Sequence, residues 1–190
     1  YAPYYTGTEI KPSKSDLGKL KIYDVNTAAV SEELQDNQYD IIGYSNNVNA
    51  SKYDASGNAT SWGYVEIKIK GTSSHSGQTY KVPFEIQPLT VSSESVTVPK
   101  TVTYNKGYGA ASDYNVQLIV TAKDRTGKIV KGLSADDYSI KYEYEDGYND
   151  DPANRVGKNE LHDFIKATIT IKNPNFAGDK GANTVVEMPQ

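Results

Sequence analysis

The stretch Val65-Glu-Ile-Lys-Ile-Lys70 alternates a β-branched apolar residue with a charged one. In an extended strand, a period of two places all the apolar side chains on one face and all the charged side chains on the other. In a helix, the same residues would be spread around the whole circumference. The stretch therefore predicts a β-strand that buries one face and exposes the other.

The same alternation recurs about 100 residues later, in Ala167-Thr-Ile-Thr-Ile-Lys172. Self-similarity at a fixed period is typical of a duplicated domain. The sequence therefore predicts two domains, residues 1–88 and residues 89–190. Three further pairs of motifs keep the same order and nearly the same spacing: Tyr39-Asp-Ile-Ile-Gly-Tyr44 with Tyr138-Ser-Ile-Lys-Tyr-Glu-Tyr144, Tyr4-Tyr-Thr-Gly7 with Tyr104-Asn-Lys-Gly107, and Ser76-Gly77 with Ala177-Gly178.

The second predicted domain has an additional strand-like segment, Val96-Thr-Val98, ahead of Tyr104, whereas only three residues precede Tyr4 in the first. If the two domains are equivalent, the first is expected to lack its opening strand, and the chain is expected to be a piece of a longer array. The link Gln87-Pro-Leu-Thr90 is short and contains a proline, so an elongated, semi-rigid arrangement is expected.

Most of the remaining sequence also predicts strands. A hairpin is expected around Asp124-Arg-Thr-Gly127, where a turn glycine separates two apolar runs. Pro83 interrupts a good strand, which is typical of a sheet edge. Ser31–Leu34 and Asn159–His162 are each predicted to form at most one helical turn. Many short strands separated by turns predict an all-β fold of the β-sandwich type.

Composition excludes several classes of protein. The 190 residues contain 16 tyrosines but no cysteine, so a disulfide framework and a thiolate metal site are both excluded. The formal net charge of −4, with acids and bases interspersed, is not the footprint of a nucleic-acid-binding protein. No apolar run approaches the roughly 18 residues that a membrane helix needs.

At the level of motifs, the chain resembles the bacterial Ig-like surface repeats of the MBG/YDG type, which are tandem modules of secreted and cell-wall-associated or S-layer-associated proteins. The resemblance implies two tandem Ig-like β-sandwich domains in an extracellular bacterial protein, with a role as spacer, adhesin or surface-layer segment. It carries no catalytic residues. The motifs that carry it are Tyr5-Thr-Gly7, Ile10-Lys-Pro12, Tyr39-Asp-Ile-Ile, Ser45-Asn-Asn-Val-Asn-Ala50, Ile67-Lys-Ile-Lys-Gly71, Ser76-Gly77 and Phe84-Glu-Ile86.

In the second copy an acidic stretch stands in place of the Asn-rich loop of the first. Oxygen ligands that converge from a loop are what calcium requires. Two interpretations stay open: a calcium site, or a solvated loop whose acids keep the surface soluble. The calcium ligands would be Asp146, Asn149, Asp150 and Asp151.

Exposed aromatic rings are the second candidate site. Trp62 is the sole tryptophan and precedes the best strand, and alternation places it with Tyr64 on the face opposite the core. A pair of outward rings can stack on sugar rings, which favours a carbohydrate-binding module for a cell-wall, host or plant polysaccharide. The alternative is that both rings cover the edge of the sandwich. Tyr144 and Tyr148 could form a second such surface, although tyrosine ladders also stabilise sheets.

No arrangement of residues predicts catalysis. His75 and His162 lie in different copies, and no serine occupies a nucleophile turn. Glu143 and Glu145 have the spacing of any exposed strand, without a pocket-forming motif beside them. The expected function is therefore non-catalytic and structural, with carbohydrate binding as the alternative. No cofactor other than calcium is expected, and the expected partners are neighbouring domains of the same polypeptide.

Overall fold

The computed structural model describes residues 1–99, 102, 110–144, 164–178 and 183–189, although the side chains of Tyr144, Phe164 and residues 183–189 lie outside that description. Strands account for 43% of the chain and helices for 9%, so the all-β prediction is confirmed. The chain divides into two compact units, Tyr1–Pro88 (unit 1) and Leu89–Gln190 (unit 2). Each unit distributes its strands between two main sheets, which gives the chain a β-sandwich-like character.

Unit 1 contains one short helix and five strands. Strands β3, β4 and β5 form an antiparallel three-stranded sheet in that order, and β1 and β2 form a separate hairpin. The helical turn predicted at Ser31–Leu34 is wrong, because this segment lies in β2. The elements are α1 (Lys14–Leu17), β1 (Leu20–Tyr23), β2 (Val30–Leu34), β3 (Tyr39–Ser45), β4 (Gly63–Ile69) and β5 (Thr79–Phe84), with a 3-10 turn at Asp36–Gln38.

Strand β4 is the centre of unit 1, and its burial follows the period of two in its sequence. Its apolar residues Val65, Ile67 and Ile69 are buried, whereas Lys68 on the other face is exposed. Gly63 opens the strand opposite Phe84, and a Cβ at this glycine would lie 2.6 Å from the Phe84 ring. The absence of a side chain at Gly63 therefore lets the phenylalanine ring close this end of the core.

Strand β5 lies at the end of the sheet order, so the edge position predicted from Pro83 is confirmed. Proline cannot donate a backbone hydrogen bond to a neighbouring strand. It is tolerated in β5 because, among the described strands, none lies beyond β5 to receive that bond.

Unit 2 repeats the three-stranded sheet and the hairpin and adds strands around the hairpin. Strands β10, β11 and β13 form one antiparallel sheet, and β12, β6, β8 and β7 form another, with β9 paired to β8. The predicted hairpin at Asp124–Gly127 is confirmed as the turn between β8 and β9. The strands are β6 (Leu89–Val91), β7 (Val96–Thr97), β8 (Ile119–Lys123), β9 (Ile129–Gly132), β10 (Tyr138–Tyr144), β11 (Phe164–Ile171), β12 (Phe176–Gly178) and β13 (Asn183–Pro189), with 3-10 turns at Ser93–Ser95 and Ala111–Tyr114.

The two sheets share their strand register at the start of the outer strand, but β3 has a register shift between Ile41 and Gly43 that β10 lacks. Tyr39 pairs with Ile69 across β3 and β4, and Tyr138 pairs with Ile171 across β10 and β11. One more backbone hydrogen bond extends each strand pair. The N–H of Lys70, just after β4, donates to the carbonyl of Gln38, just before β3, at 2.8 Å. In the same way, the N–H of Lys172, just after β11, donates to the carbonyl of Asp137, just before β10, at 2.9 Å. The sequence motifs that repeat thus form the same strand pair in both units.

A pair of tyrosine hydroxyls extends this likeness. The Tyr44 hydroxyl donates to the carbonyl of Pro12 at 3.0 Å, and the Tyr142 hydroxyl donates to the carbonyl of Val116 at 2.7 Å. Tyr44 pairs with Val65 and Tyr142 pairs with Ala167, which are equivalent positions of β4 and β11. In each unit, therefore, a sheet tyrosine fastens the segment that leads to the hairpin.

Within the part of the chain that the structure describes, no helix has the length and apolar character needed to cross a membrane.

Candidate functional site

A depression beside Trp62 is the best candidate for a binding site. It has a volume of about 490 Å³ and is formed by the loop after β3 together with the residues that precede β4. Trp62 is 37% exposed, so its ring is accessible from solvent. We call this feature the Trp62 depression. Its lining residues are Asn46, Asn47, Val48, Asn49, Ala50, Ser51, Lys52, Ser61 and Trp62.

Two buried polar side chains hold the loop that forms one wall of the Trp62 depression. The Asn47 side-chain amide donates to the carbonyl of Ile10 at 3.0 Å, and the N–H of Ile10 donates back to the Asn47 carbonyl at 2.8 Å. The Ser51 hydroxyl accepts from the N–H of Ile86 at 3.1 Å, and the Ser51 N–H donates to the Ile86 carbonyl at 2.8 Å. Because buried polar groups that are fully paired fix a backbone, this wall is preorganised.

Residues 52–61 form a closed loop that positions Trp62. The N–H of Lys52 donates to the Ser61 hydroxyl at 2.8 Å, and the N–H of Thr60 donates to the Lys52 carbonyl at 2.7 Å. At the far end of the loop, Asp54 accepts from the N–H of Asn58 and of Ser56, both at 2.9 Å. These hydrogen bonds lower the pKa of Asp54, and the bond from the N–H of Asn58 makes the largest contribution. The carboxylate therefore stays charged and keeps the turn closed.

The composition of the Trp62 depression suits a polar ligand with an apolar face. Trp62 provides an aromatic surface, and the rest of the lining is mainly asparagine and serine with one lysine, Lys52. Asn47 and Ser51 are buried and hydrogen-bonded to the backbone, so they fix the wall. Such a combination of an apolar surface with a few fixed polar groups is typical of small-ligand sites. None of the lining residues carries a carboxylate, so the depression contains no general acid or base of that kind.

Tyr64 lies apart from this depression. It is half-buried on the outward face of β4, as alternation predicts, but it is not among the lining residues. The Lys81 ammonium lies 5.9 Å from the Tyr64 ring centroid and 3.3 Å from the Glu66 carboxylate. Tyr64 is thus part of a small cross-strand group on the sheet. The structure places Trp62 against the Asn-rich part of the long polar insertion, Asn46 to Asn58, beside which it lies in the sequence.

The sites predicted in the second copy fall mostly outside the described residues. Only the backbone of Tyr144 is described, at the end of β10. The other predicted aromatic residue, Tyr148, and the predicted calcium ligands Asp146, Asn149, Asp150 and Asp151 lie outside the described residues. The calcium site and the solvated loop both stay predictions. A melting curve with and without calcium, compared with Asp150→Ala and Asp151→Ala, distinguishes them, because a ligand of the folded state raises its stability.

A polar cluster around Glu32 and His75 was missed by the sequence analysis. Glu32 accepts from the hydroxyls of Ser73 and Ser74, each at 2.9 Å, and His75 lies with its Nδ1 3.2 Å from the Tyr80 hydroxyl. The hydrogen bond from Ser74, the largest contribution, lowers the pKa of the Glu32 carboxyl. The cluster fastens β2 to the turn between β4 and β5. Its only sequence signal is the serine-rich run around His75.

The same cluster does not have the geometry of a nucleophilic triad. The Ser31 hydroxyl lies 3.5 Å from His75 Nε2, at the limit of a hydrogen bond, and the other ring nitrogen faces the Tyr80 hydroxyl. A triad requires a group that orients the histidine and stabilises its charge, which is normally a carboxylate. The arrangement is therefore a structural contact between β2 and the turn that joins β4 to β5.

A further depression of about 530 Å³ lies between α1 and the segment that follows β2. Both of its lysines are already engaged. Lys14 donates to the carbonyls of Asp36 and Tyr39, and Lys19 lies 3.1 Å from the Glu33 carboxylate. Because both lysines already have partners and no aromatic residue lines it, this depression is a weaker candidate for a binding site than the Trp62 depression.

Among the described residues, no three histidine or acidic side chains come close enough together to hold a metal ion. The chain matches no protein-family model, no curated protein and no solved structure.

Proposed function

We propose that the chain is a non-catalytic structural segment of a large bacterial cell-surface or secreted protein, made of two Ig-like repeats. The observation that carries the proposal is the construction of the two units. Both combine a hairpin with a three-stranded sheet of the same strand order, and both fasten the sheet through an equivalent tyrosine hydroxyl. A module repeated in this way supports a role in spacing or projecting other parts of a polypeptide.

Mechanical unfolding tests the structural role. A load-bearing spacer of two modules is expected to unfold in two separate events when the chain is pulled from its ends. Fully extended segments of about 88 and about 102 residues would contribute roughly 300 Å and roughly 350 Å of contour length. A single event of the combined length would contradict a tandem of independent modules, and unfolding at negligible force would contradict a load-bearing role.

Surface location needs a separate experiment. In a bacterium that expresses the full polypeptide, an antibody against this segment is expected to label intact cells or the culture medium. Protease added to intact cells should remove the cell-associated signal. A signal that appears only after lysis would overturn the proposed location while leaving the two-module structure untouched.

Carbohydrate binding is the second candidate function, and the Trp62 depression is the observation that favours it. One wall is an accessible indole ring, and the other wall carries amide and hydroxyl groups on a backbone held by buried hydrogen bonds. A pyranose ring matches this pattern, since its C–H face is apolar and its edge carries hydroxyl groups. Cell-wall, host and plant polysaccharides all present such rings.

A glycan array with matched variants tests this second candidate. Binding by the wild-type chain that is lost in Trp62→Ala and retained in Tyr64→Ala would support the Trp62 depression as a sugar site. Stacking on an aromatic residue contributes on the order of 1 kcal/mol or more, so a loss of about 5-fold or greater is expected for Trp62→Ala. Equal loss in both variants would point to the outer sheet face instead, and no binding to any glycan would remove the candidate.

A further inference from the structure

The polar side chains around the Trp62 depression differ in whether they are already hydrogen-bonded. Asn47 and Ser51 are buried and bonded to the backbone of Ile10 and Ile86, so they hold the wall in place. Asn46 is exposed, and its side-chain amide has no hydrogen-bond partner among the described residues. A ligand in the depression would bond to groups of this second kind, which are not occupied by the fold itself.

The Ser61 hydroxyl retains a hydrogen that it can donate to a ligand. Its oxygen accepts from the N–H of Lys52 at 2.8 Å, and its own hydrogen has no acceptor within the part of the chain that the structure describes. A serine hydroxyl can donate one hydrogen bond while it accepts others. Ser61 is half-buried beside Trp62, so its donor is fixed at the wall of the depression.

Lys52 gives the lining of the Trp62 depression a positive charge. Its side chain is exposed, and its ammonium forms no ion pair or hydrogen bond with any residue that the structure describes. The depression beside α1 differs in this respect, because Lys14 donates to backbone carbonyls there and Lys19 lies 3.1 Å from the Glu33 carboxylate. The charge of Lys52 is therefore available to a ligand.

The acidic residue nearest to Lys52 in the sequence is Asp54, and its carboxylate is bonded within the loop. It accepts from the N–H groups of Ser56 and Asn58, both at 2.9 Å, and from the side-chain amide of Asn58 at 3.3 Å. These bonds keep Asp54 at the far end of the loop, in the turn that it closes. Asp54 therefore does not neutralise the Lys52 ammonium.

The groups that remain for a ligand are mainly hydrogen-bond donors. An ammonium only donates, the Ser61 hydroxyl has a hydrogen to donate, and the amide of Asn46 can donate or accept. A neutral sugar presents hydroxyl groups, which need acceptors as well as donors, and no residue of the lining carries a carboxylate to accept them. A carboxylate only accepts hydrogen bonds, so it matches this set of groups better than a hydroxyl does.

We propose that the Trp62 depression binds an acidic sugar, with its pyranose ring on the Trp62 indole and its carboxylate on the Lys52 ammonium and the Ser61 hydroxyl. The main-chain nitrogen of Lys52 lies 2.8 Å from that hydroxyl, so an ammonium on a four-carbon stem can reach the same carboxylate. The proposal rests on carbohydrate binding, the second candidate function. It names the class of ligand: uronic acids and other sugars that carry a carboxylate.

Pairs of glycans that differ only in charge test this proposal. The probes are oligosaccharides of galacturonic, glucuronic and mannuronic acid, each beside its carboxyl-reduced form, which keeps the ring and loses the charge. The wild-type chain is expected to bind at least one acidic form about 2-fold to 5-fold more tightly than its reduced form, the range for a solvent-exposed ion pair. Added salt should diminish this preference, because ions screen exposed charges.

Variants of the chain assign the preference to one residue. Lys52→Gln is expected to bind both forms equally, at the wild-type affinity for the reduced form, whereas Lys52→Arg keeps the charge and should keep the preference. Lys68→Gln is the matched control, since Lys68 is an exposed lysine of β4 that does not line the depression. The loop bonds of Lys52 use its main-chain N–H and carbonyl, so they remain in these variants, and a melting curve verifies folding.

Two outcomes would overturn the acidic-sugar proposal and leave carbohydrate binding in place. One is equal binding of acidic and reduced forms that Trp62→Ala abolishes. The other is a preference for acidic forms that Lys52→Gln leaves unchanged, or that Lys68→Gln removes to the same extent. Absence of binding to every glycan, acidic or reduced, would remove the second candidate function and this proposal together. The mechanical test of the structural role is independent of all these results.

Discussion

The hairpins of the two units both have an aspartate that caps the turn, but the turn of unit 1 is one residue longer and the surroundings differ. In unit 2, β8 has β9 on one side and β6 and β7 on the other. In unit 1, within the described residues, β1 has β2 on one side and no strand on the other, where a groove lies between β1 and β5. The three-stranded sheets, in contrast, agree in strand order, and their registers differ only by the shift between Ile41 and Gly43 in β3. The shared framework therefore consists of the sheet and the hairpin, and the units differ in what covers the hairpin.

The centre of each sheet is where the two units should respond most alike. Ile67 and Ile169 occupy equivalent positions of β4 and β11 and are both almost completely buried. Ile67→Ala and Ile169→Ala are each expected to lower the free energy of unfolding of their own unit by about 2–5 kcal/mol, through lost burial and a residual cavity. Denaturant titration, followed by a probe specific to each unit, measures both effects.

Lys68→Ala is the matched control for this pair, because the side chain is exposed on the same strand. A change within about 0.5 kcal/mol is expected. If Ile169→Ala had a small effect while Ile67→Ala had a large one, the two sheets would have different cores in spite of their common strand order.

The end of the central strand breaks the likeness in a specific way. Gly63 pairs with Phe84 in unit 1, whereas the equivalent Ile165 pairs with Met188 in unit 2. Because a Cβ at Gly63 would lie 2.6 Å from the Phe84 ring, Gly63→Ala is expected to destabilise unit 1 by about 1–3 kcal/mol through overpacking. Equilibrium unfolding of the single variant checks this value.

A double-mutant cycle then sharpens the comparison. Phe84→Met makes the pair in unit 1 more like the pair in unit 2 and is expected to relieve much of the cost of Gly63→Ala. A coupling energy of about 0.5 kcal/mol or more between the two positions would establish that glycine and phenylalanine compensate for each other. Additive effects would mean that the strain has another origin.

The parts of the fold that the sequence predicts are those set by local alternation and by single backbone rules. The buried face of β4, the edge position of Pro83 and the turn at Asp124–Gly127 all belong to this class. The match of Ser76-Gly77 to Ala177-Gly178 is wrong, because Gly77 lies in the turn before β5 whereas Ala177 and Gly178 lie in β12, paired with β6. Two-residue motifs do not specify their strand partners.

Contacts between distant parts of the chain account for the other errors. Ser31–Leu34 was predicted to form a helical turn, but Leu34 is buried and Glu32 accepts hydrogen bonds from Ser73 and Ser74 far along the chain. The candidate site was likewise predicted only in part, because it depends on contacts that a local pattern does not specify. Alternation correctly places Tyr64 on the outward face, but the neighbour of Trp62 in the depression is the loop after β3 and not Tyr64, because the loop folds back through hydrogen bonds that alternation does not predict.

The tyrosines of the two sheets differ in how their hydroxyls are satisfied. Tyr44→Phe and Tyr142→Phe each remove a hydrogen bond to a backbone carbonyl, so each is expected to destabilise its unit by about 0.5–1.5 kcal/mol. Tyr39 is fully buried, and its hydroxyl has no hydrogen-bond partner among the described residues. Because that hydroxyl is desolvated without compensation, Tyr39→Phe is expected to leave stability unchanged or to increase it.

Thermal unfolding of the three variants, measured side by side, tests this difference. A marked loss of stability in Tyr39→Phe would mean that an ordered water satisfies the hydroxyl in solution. Equal effects at Tyr44 and Tyr142 would establish that the segment before each hairpin is fastened to its sheet with the same strength.

The smallest effect concerns the aspartate that accepts hydrogen bonds within the turn of each hairpin. Hydrogen bonds from the N–H groups of Thr27 and then Asn26 lower the pKa of Asp24, and bonds from the Thr126 hydroxyl and N–H lower the pKa of Asp124. A carboxyl whose folded-state pKa is depressed stabilises the fold fully above its unfolded-state pKa, and this stabilisation is lost as the pH falls through the folded-state pKa. The stability difference between wild type and Asp24→Ala, or Asp124→Ala, should therefore shrink in the acid range.

Both carboxylates are exposed, so the differences will be modest at neutral pH, and the shape of the pH profile is the informative quantity. Nuclear magnetic resonance titration of the two carboxyls gives their folded-state pKa values directly. If each turn acts alone, each profile should follow from the folded-state pKa of its own carboxyl, even though β8 has strands on both sides and β1, within the described residues, does not. If the pH profile for Asp24 is flatter than its folded-state pKa implies, a turn carboxylate stabilises its hairpin fully only when the adjoining strand is paired on both edges. The stability of the turn in unit 1 would then depend on whether the second edge of β1 is paired.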